Sequence, residues 1–354
     1  SSSRFNVVAM THNKDIPTVS STADRLNAYI SRLGKSKISR IIPLTGDASD
    51  RNYFRLILED GQSKILVIHK EPFNYKKLPF VNVTKLLHHL SIPSPAILGH
   101  ADDLGILILE DLGDLTLQSH LKKISSAEKT KEYRKAIDII VTLQQQKNEQ
   151  TKADYIPYQL AFDTKKLASE LNFFITYFIE THRGVSISKR TRSALQKEFN
   201  IMATTIAMEP RLLCHRDFHS RNMMVREEHI YLIDFQDARM GPEAYDLASL
   251  LRDSYIDLSD KLFCDSIDYF LSRKDGRHDP KKFRKHFDLV AMQRNLKALG
   301  TFGYQVSERQ NAIYLQYIPR TLRYVRQTLS GDHRFNTLRP ILGELVHELR
   351  EVNC

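Results

Sequence analysis

Residues 211–253 read RLLCHRDFHSRNMMVREEHIYLIDFQDARMGPEAYDLASLLRD, and the order of polar side chains in this stretch decides what the chain must build. Apolar Leu212 to Cys214 lead into a tight loop at His215-Arg216-Asp217, and Asn222 closes the loop. Met223 to Arg226 and His229 to Ile233 read as the strands of a short hairpin with its turn at Glu227-Glu228. The hairpin returns Asp234 to the place where Asn222 left off. A carboxylate and an amide oxygen brought together in this way are the hard ligands that magnesium prefers to thiolate or imidazole.

The spacing of His215, Arg216, Asp217 and Asn222 is H-R-D-x-x-x-x-N, that of a kinase catalytic loop. Moving a phosphoryl group from ATP takes a carboxylate that orients the attacking hydroxyl and accepts its proton, and oxygen ligands that hold Mg2+ against the triphosphate. Asp217 is expected to be the catalytic base, with Asn222 and Asp234 as the metal ligands. Either motif alone would carry little weight; in order, and joined by a hairpin, they support each other. A rival reading places zinc on His215, Asp217 and His219, which alternate and would share one face of a strand. That arrangement leaves Asn222 and Asp234 without a task.

The residues beyond Asp234 narrow the class. A protein kinase would continue into a long activation segment, whereas here Gly241-Pro242 arrives at once and a helix opens near Glu243. Through HRDFHSRN (215–222), LIDFQDA (232–238) and GPEAYDLASLL (241–251) the chain resembles the aminoglycoside phosphotransferase family of small-molecule kinases. The resemblance implies an α+β, bilobal protein-kinase-like fold, with a small β-rich N-lobe and a larger helical C-lobe. It also implies that Asp246 braces the catalytic loop through its backbone; the plainer reading of Asp246 is a first-turn acid that favours the helix dipole. GDAS (46–49) followed by RNYFRL (51–56) looks more narrowly like the bacterial anomeric kinases that phosphorylate N-acetylmuramic acid and N-acetylglucosamine during cell-wall recycling. LASELNFFITYFIE (167–180), QRNLKALGTFGY (293–304) and YLQYIPRTLRYV (314–325) are similar to that subgroup as well. Asn172 or Tyr177 would then face the sugar, with Arg221, Gln236, Arg294 and Asn295 as further candidates for its pocket.

Upstream, Thr22 to Leu33 has the apolar spacing of an amphipathic helix, with Thr22 as cap and Gly34 as stop. Ile38 to Leu44 and Asn52 to Leu58 read as strands around the loop that would cover the nucleotide phosphates. That loop lacks G-x-G-x-x-G, so contacts are expected from the Gly46, Asp47 and Ala48 backbone, the Ser49 hydroxyl and Arg51. Lys64 to His69 is the third strand, and either His69 or Lys70 could take the phosphate-pairing position. The helix over Pro79 to Leu90 contains no acid, so the lysine–glutamate pair of protein kinases is missing. After the strand Gly105 to Glu110, the main chain of Glu110, Asp111 and Leu112 is expected to hold the adenine edge. Ala127 to Gln146, Asp163 to Glu180, Lys282 to Gly300 and Ile313 to Leu329 read as helices. The expected organisation is a tail over 1–20, with Ser-Ser-Ser as an appended remnant and Met10 as a candidate start, an N-lobe over 21–112 and a C-lobe over 113–354.

The chain has 354 residues, 42% of them hydrophobic, enough for two substantial cores. Its longest apolar runs, such as Gly105 to Leu109, are too short for a bilayer, and no signal-peptide core opens it, so a cytoplasmic protein without a membrane partner is expected. Cys214, Cys264 and Cys354 form no metal spacing and suit a reducing compartment. A net charge of +10 and a pI near 9.3 favour anionic ligands. The basic run Lys281 to His286 reads as a solvated helix face, and no nucleic-acid motif accompanies it. Charge alone chooses no partner; the resemblance implies ATP and a small amino sugar. The alternatives are a kinase of another small alcohol, such as an aminoglycoside, choline or an amino-acid-like metabolite, and a non-catalytic nucleotide-binding module.

Overall fold

In the computed structural model, which describes residues 21–34, 37–45, 50–145, 147–276 and 278–350, the alternating segments near the amino terminus form one sheet. Its strands are β1 (Ile38–Leu44), β2 (Asn52–Leu58), β3 (Ser63–Ile68), β4 (Ile97–Ala101) and β5 (Ile106–Glu110), in the order β1-β2-β3-β5-β4. β1 and β2 pair antiparallel with Leu44 opposite Tyr53, and β2 and β3 with Asn52 opposite Ile68. Leu56, Leu66, Ile68, Ile106 and Ile108 form the buried core of this unit, and Leu26, Tyr29 and Leu33 of α1 (Thr22–Leu33) pack against it. The cap of α1 is Ser21, not Thr22. Ser21 Oγ accepts the Asp24 N–H while the Asp24 carboxylate accepts the Ser21 N–H, a capping box that sets the helix start one residue earlier. Arg25, buried on the same helix, donates to the carbonyls of His69, Lys70 and Leu104 and so fixes the end of β3.

The chain divides into two compact units, one built from the chain up to Asn74 with Leu98–Leu109, the other from Tyr75–Ile97 and Glu110 onward. The division differs from a single boundary at Leu112, because helix α2 (Pro79–His89) belongs to the second unit. Phe80 stacks on Phe235 with centroids 4.8 Å apart, and the Asn82 side chain accepts the Ile156 N–H at 2.8 Å. Those long-range partners outweigh closeness in sequence to the sheet. The expected tail over 1–20 and the loop residues Gly46, Asp47, Ala48 and Ser49 lie outside the described residues.

The second unit is largely helical: α3 (Leu117–Leu121), α4 (Ser126–Gln144), α5 (Glu149–Ala153), α6 (Thr164–Phe173), α7 (Lys189–Ala207), α8 (Tyr245–Leu251), α9 (Asp260–Arg273), α10 (Pro280–Ser307), α11 (Ile318–Gly331) and α12 (Leu338–Leu345). Two small antiparallel pairs interrupt the helices, β6 (Arg211–Cys214) with β9 (Arg239–Pro242) and β7 (Met223–Arg226) with β8 (His229–Leu232). A five-stranded sheet followed by a helical region is the kinase-like architecture. None of the helices among the described residues is long and apolar enough to cross a membrane.

Three expected helices differ in outline. The segment over Asp163 to Glu180 changes at Phe174 into a wider π-helical run, Phe174–His182. Helix α10 does not stop at Gly300 but runs on to Ser307, since Gly300 and Gly303 are points of close approach rather than terminators. A Cβ on Gly303 would sit 2.3 Å from the Tyr177 carbonyl oxygen, and one on Gly300 2.8 Å from the Phe174 nitrogen. The segment from Ile313 opens as a 3-10 turn, Ala312–Tyr317, and α11 begins only beside Pro319, whose fixed φ suits a first helical turn.

Candidate active site

Strand β6 ends at Cys214 and the chain turns sharply through His215-Arg216-Asp217. Arg216 has φ +89°, a left-handed conformation that a residue with a side chain adopts only when its surroundings enforce it. The fully buried Asp246, on the first turn of α8, does so. Its carboxylate accepts the N–H groups of His215 at 2.7 Å and Arg216 at 3.1 Å. Arg294 of α10 donates to the Arg216 carbonyl at 2.7 Å and to Ser249 Oγ at 2.8 Å, closing the loop from the other side. Further along, Asp253 accepts the N–H groups of Ser220 and Tyr255, both at 2.8 Å. Burial raises both the Asp246 and Asp253 carboxyls; His215 partly offsets this at Asp246, and Ser220 does so at Asp253.

Hairpin β7–β8 brings Asp234 back to Asn222, as the spacing requires. The Ile233 N–H donates to the Asn222 carbonyl at 3.0 Å, and Asn222 Nδ2 lies 3.0 Å from the Asp217 carbonyl and 3.5 Å from Asp234 Oδ2. With Nδ2 engaged, the amide oxygen of Asn222 could serve as a ligand beside the exposed Asp234 carboxylate. Asp234 has φ +55°, a second left-handed non-glycine at the site. Two oxygens from the chain fit magnesium, which is normally held by one or two protein groups with phosphates and waters completing the shell. The zinc arrangement does not fit. His215 Nε2 lies 2.9 Å from the Ile233 carbonyl and its Nδ1 accepts the Asp217 N–H at 3.3 Å, so both ring nitrogens serve the backbone.

Cations surround Asp217. Lys297 Nζ is 3.5 Å and Arg294 4.0 Å from its Oδ1, while the side chain keeps 30% of its exposure. Burial alone would raise this carboxyl, but Lys297, Arg216 and Arg294 outweigh it and hold it far below the usual carboxylate range. It therefore stands ionised. His219 is pushed down to about 3 by burial, with the Arg294 and Arg221 cations adding to the effect, so it stands neutral beside the loop. Glu170, buried on α6, accepts from Gln293 at 3.0 Å and gathers two of the same cations, Arg216 at 3.5 Å and Lys297 at 3.6 Å. Neither Lys297 nor Glu170 stands out in the sequence. The available signals were a lysine one helical turn beyond Arg294 and a lone acid inside LASELNFF.

The remaining candidates are scattered. Gln236 donates to Asp234 Oδ1 at 2.6 Å, and the Arg221 guanidinium lies over the Tyr255 ring at 4.6 Å. Tyr177 is part-buried in a cluster with Phe173 and Tyr304, centroids 4.4 and 5.1 Å away, whereas Asn172 is exposed on α6. Asn295 is buried and donates to the Arg252 carbonyl at 3.2 Å. Glu110 receives the Arg226 guanidinium at 2.9 Å, its own N–H donates to Ala96, and Asp111 Oδ1 caps the Gly113 N–H. Leu112, last of the three expected adenine contacts, is buried. In the sheet unit, Lys70 is exposed, whereas burial and the Arg51 cation push His69 down to about 4.

The phosphotransferase enzyme family profile matches residues 40–279. The chain belongs to this family. A phosphotransferase of this kind is a kinase that acts on a small-molecule hydroxyl and uses ATP. Among its relatives, the N-acetylmuramate/N-acetylglucosamine kinase of Neisseria meningitidis is 30% identical over 307 residues, spanning 85% of this chain and 88% of the relative. The kinase of the same name from Pseudomonas aeruginosa is 27% identical, spanning 88% of this chain and 90% of the relative. The fold is shared with the ADP-bound aminoglycoside phosphotransferase APH(2'')-Ib, with a TM-score of 0.54, 14% identity and coverage of 87% and 99%. It is also shared with choline kinase LicA from Streptococcus pneumoniae, with a TM-score of 0.57, 15% identity and coverage of 86% and 99%.

Proposed function

We propose that this phosphotransferase uses ATP and magnesium to phosphorylate the anomeric (C1) hydroxyl of an N-acetylated hexosamine, N-acetylglucosamine or N-acetylmuramic acid, in the cytoplasm. The observation that carries the reading is the charge around Asp217: Lys297, Arg294 and Arg216 stand at the acceptor carboxylate. A cationic aminoglycoside or choline would meet repulsion there, and a neutral or acidic sugar would not. An anomeric hydroxyl is more acidic than an ordinary alcohol, and Asp217 needs only to orient it and collect its proton late in transfer. The names of the relatives agree with an N-acetylated hexosamine as the acceptor. Asn222 and Asp234 would hold the magnesium, which when bound neutralises charge on the phosphates. Tyr177, with Phe173 and Tyr304, offers aromatic faces on which the apolar side of a hexosamine ring could lie.

The test uses blocked acceptors. N-acetylglucosamine and N-acetylmuramic acid should be consumed with ATP and magnesium and lose their reducing ends, while their 1-O-methyl glycosides remain unphosphorylated. Phosphate on a methyl glycoside at a comparable rate, located by phosphorus–proton NMR coupling, would rule out the anomeric assignment and leave the kinase itself standing.

A further inference from the structure

The cation closest to the catalytic carboxylate comes from helix α10, not from the catalytic loop. Lys297 Nζ lies 3.5 Å from Asp217 Oδ1 and 3.6 Å from Glu170 Oε1, and it is a buried ammonium without a close hydrogen-bond acceptor. Its neighbours are committed elsewhere: Arg294 to the Arg216 carbonyl and Ser249, Glu170 to Gln293. Lys297 is thus the group with donors to spare, and it bridges a fixed carboxylate to the one that acts on the acceptor. An ammonium on a flexible stem, carrying three donors, can hold such a bridge in more than one rotation. Lys297 and Arg294 both make their nearest approach to Asp217 at Oδ1.

We propose that Lys297 is a positioning residue for phosphoryl transfer: anchored by Glu170, it holds Asp217 Oδ1 and thereby turns Oδ2 toward the acceptor hydroxyl. The inference rests on the role proposed for Asp217, not on which sugar is bound. In the step itself the acceptor oxygen bonds to the γ-phosphorus as the bond from that phosphorus to the bridging oxygen of ADP breaks. The hydroxyl proton passes to Asp217, and Lys297 keeps its own.

The test compares Lys297→Met with the charge-balanced double variant Glu170→Gln/Lys297→Met. Turnover is read with N-acetylglucosamine and also as acceptor-free ATP hydrolysis, so a wild-type enzyme that ignores the sugar counts against the sugar and not against Lys297. Both variants should lose about 100-fold in kcat, the scale of a slight misplacement of a catalytic group, while KM for ATP stays within about twofold. Lys297→Ala should regain part of its turnover with added ethylammonium, which a purely structural lysine would not do. A folded Lys297→Met enzyme within about threefold of wild type would overturn the proposal. So would a double variant restored to full turnover, because Lys297 would then merely neutralise Glu170. Should the single variant fail to fold, the balanced double variant alone decides between these outcomes.

Discussion

Asp217 and Asp246 are both carboxylates beside the same loop, and the structure separates their tasks by exposure and partner. Asp217 keeps part of its surface open among side-chain cations, and Asp246 is closed off and holds two backbone N–H groups. Asp217→Asn should therefore lower kcat by about 10²- to 10⁴-fold with nucleotide affinity and thermal midpoint nearly unchanged. A variant retaining half of wild-type turnover would remove this carboxylate from the reaction. Asp246→Ala should instead act on the fold, because two buried donors lose their acceptor, at about 1–3 kcal/mol each. Urea unfolding would read the loss, and Asp246→Asn, which keeps one acceptor oxygen, should lie between it and wild type. Asp234→Ala should weaken ATP binding in the presence of magnesium far more than in its absence, measured by titration calorimetry. Equal losses would point to structural damage. The sequence revealed Asp217, Asn222 and Asp234 because a linear motif carries them, whereas Lys297 and Glu170 are 80 and 47 residues away from Asp217 and meet it only through helix packing.

Among the elements, the short hairpin was legible because its strands alternate and Asn222 and Asp234 flank it; its turn places Glu227 at φ +50° and Glu228 at φ +65°, as a two-residue hairpin turn requires. The continuation of α10 past Gly300 and the π-helical run opposite it were not. Periodicity marks an apolar face without showing that two backbones will approach closely, and Gly300 reads as a helix end until the facing chain is in view. π-helical geometry is uncommon and tends to occur at functional sites. Here it brackets Tyr177, whose carbonyl is the atom that a side chain on Gly303 would strike. Gly303→Ala should destabilise the protein by about 1–3 kcal/mol, as overpacking does. Because the same contact sets Tyr177 against Tyr304, KM for the acceptor should rise as well. An alanine variant with an unchanged melting temperature would show that the contact relaxes freely.

For the whole molecule, the net charge of +10 becomes informative only once its distribution is known, since cations of α10, Arg294 and Lys297, converge on Asp217. One acidic group makes stability depend on pH. Glu209, at the end of α7, is pushed up to about 7 by burial and by Glu243, despite Arg334. A carboxyl raised on folding stabilises the native state while it stays protonated, so its contribution is complete below pH 4.5 and fades as pH rises through about 7. The melting temperature of wild type relative to Glu209→Gln should therefore fall across that interval. A constant difference between the two proteins would show that Glu209 titrates alike in both states.

By itself the sequence determined the kinase-like class, the catalytic loop and the hairpin that returns Asp234, because these depend on local spacing and on the chemistry of a few side chains. Tertiary structure alone decided that α2 joins the helical unit, that a π-helical run succeeds α6, and that Glu170 and Lys297 complete the surroundings of Asp217. The reason is physical: these features depend on which buried faces meet and on how closely two backbones approach. A one-dimensional pattern records that a face is apolar or that a charge lies on it, but the partner that satisfies it is chosen by packing.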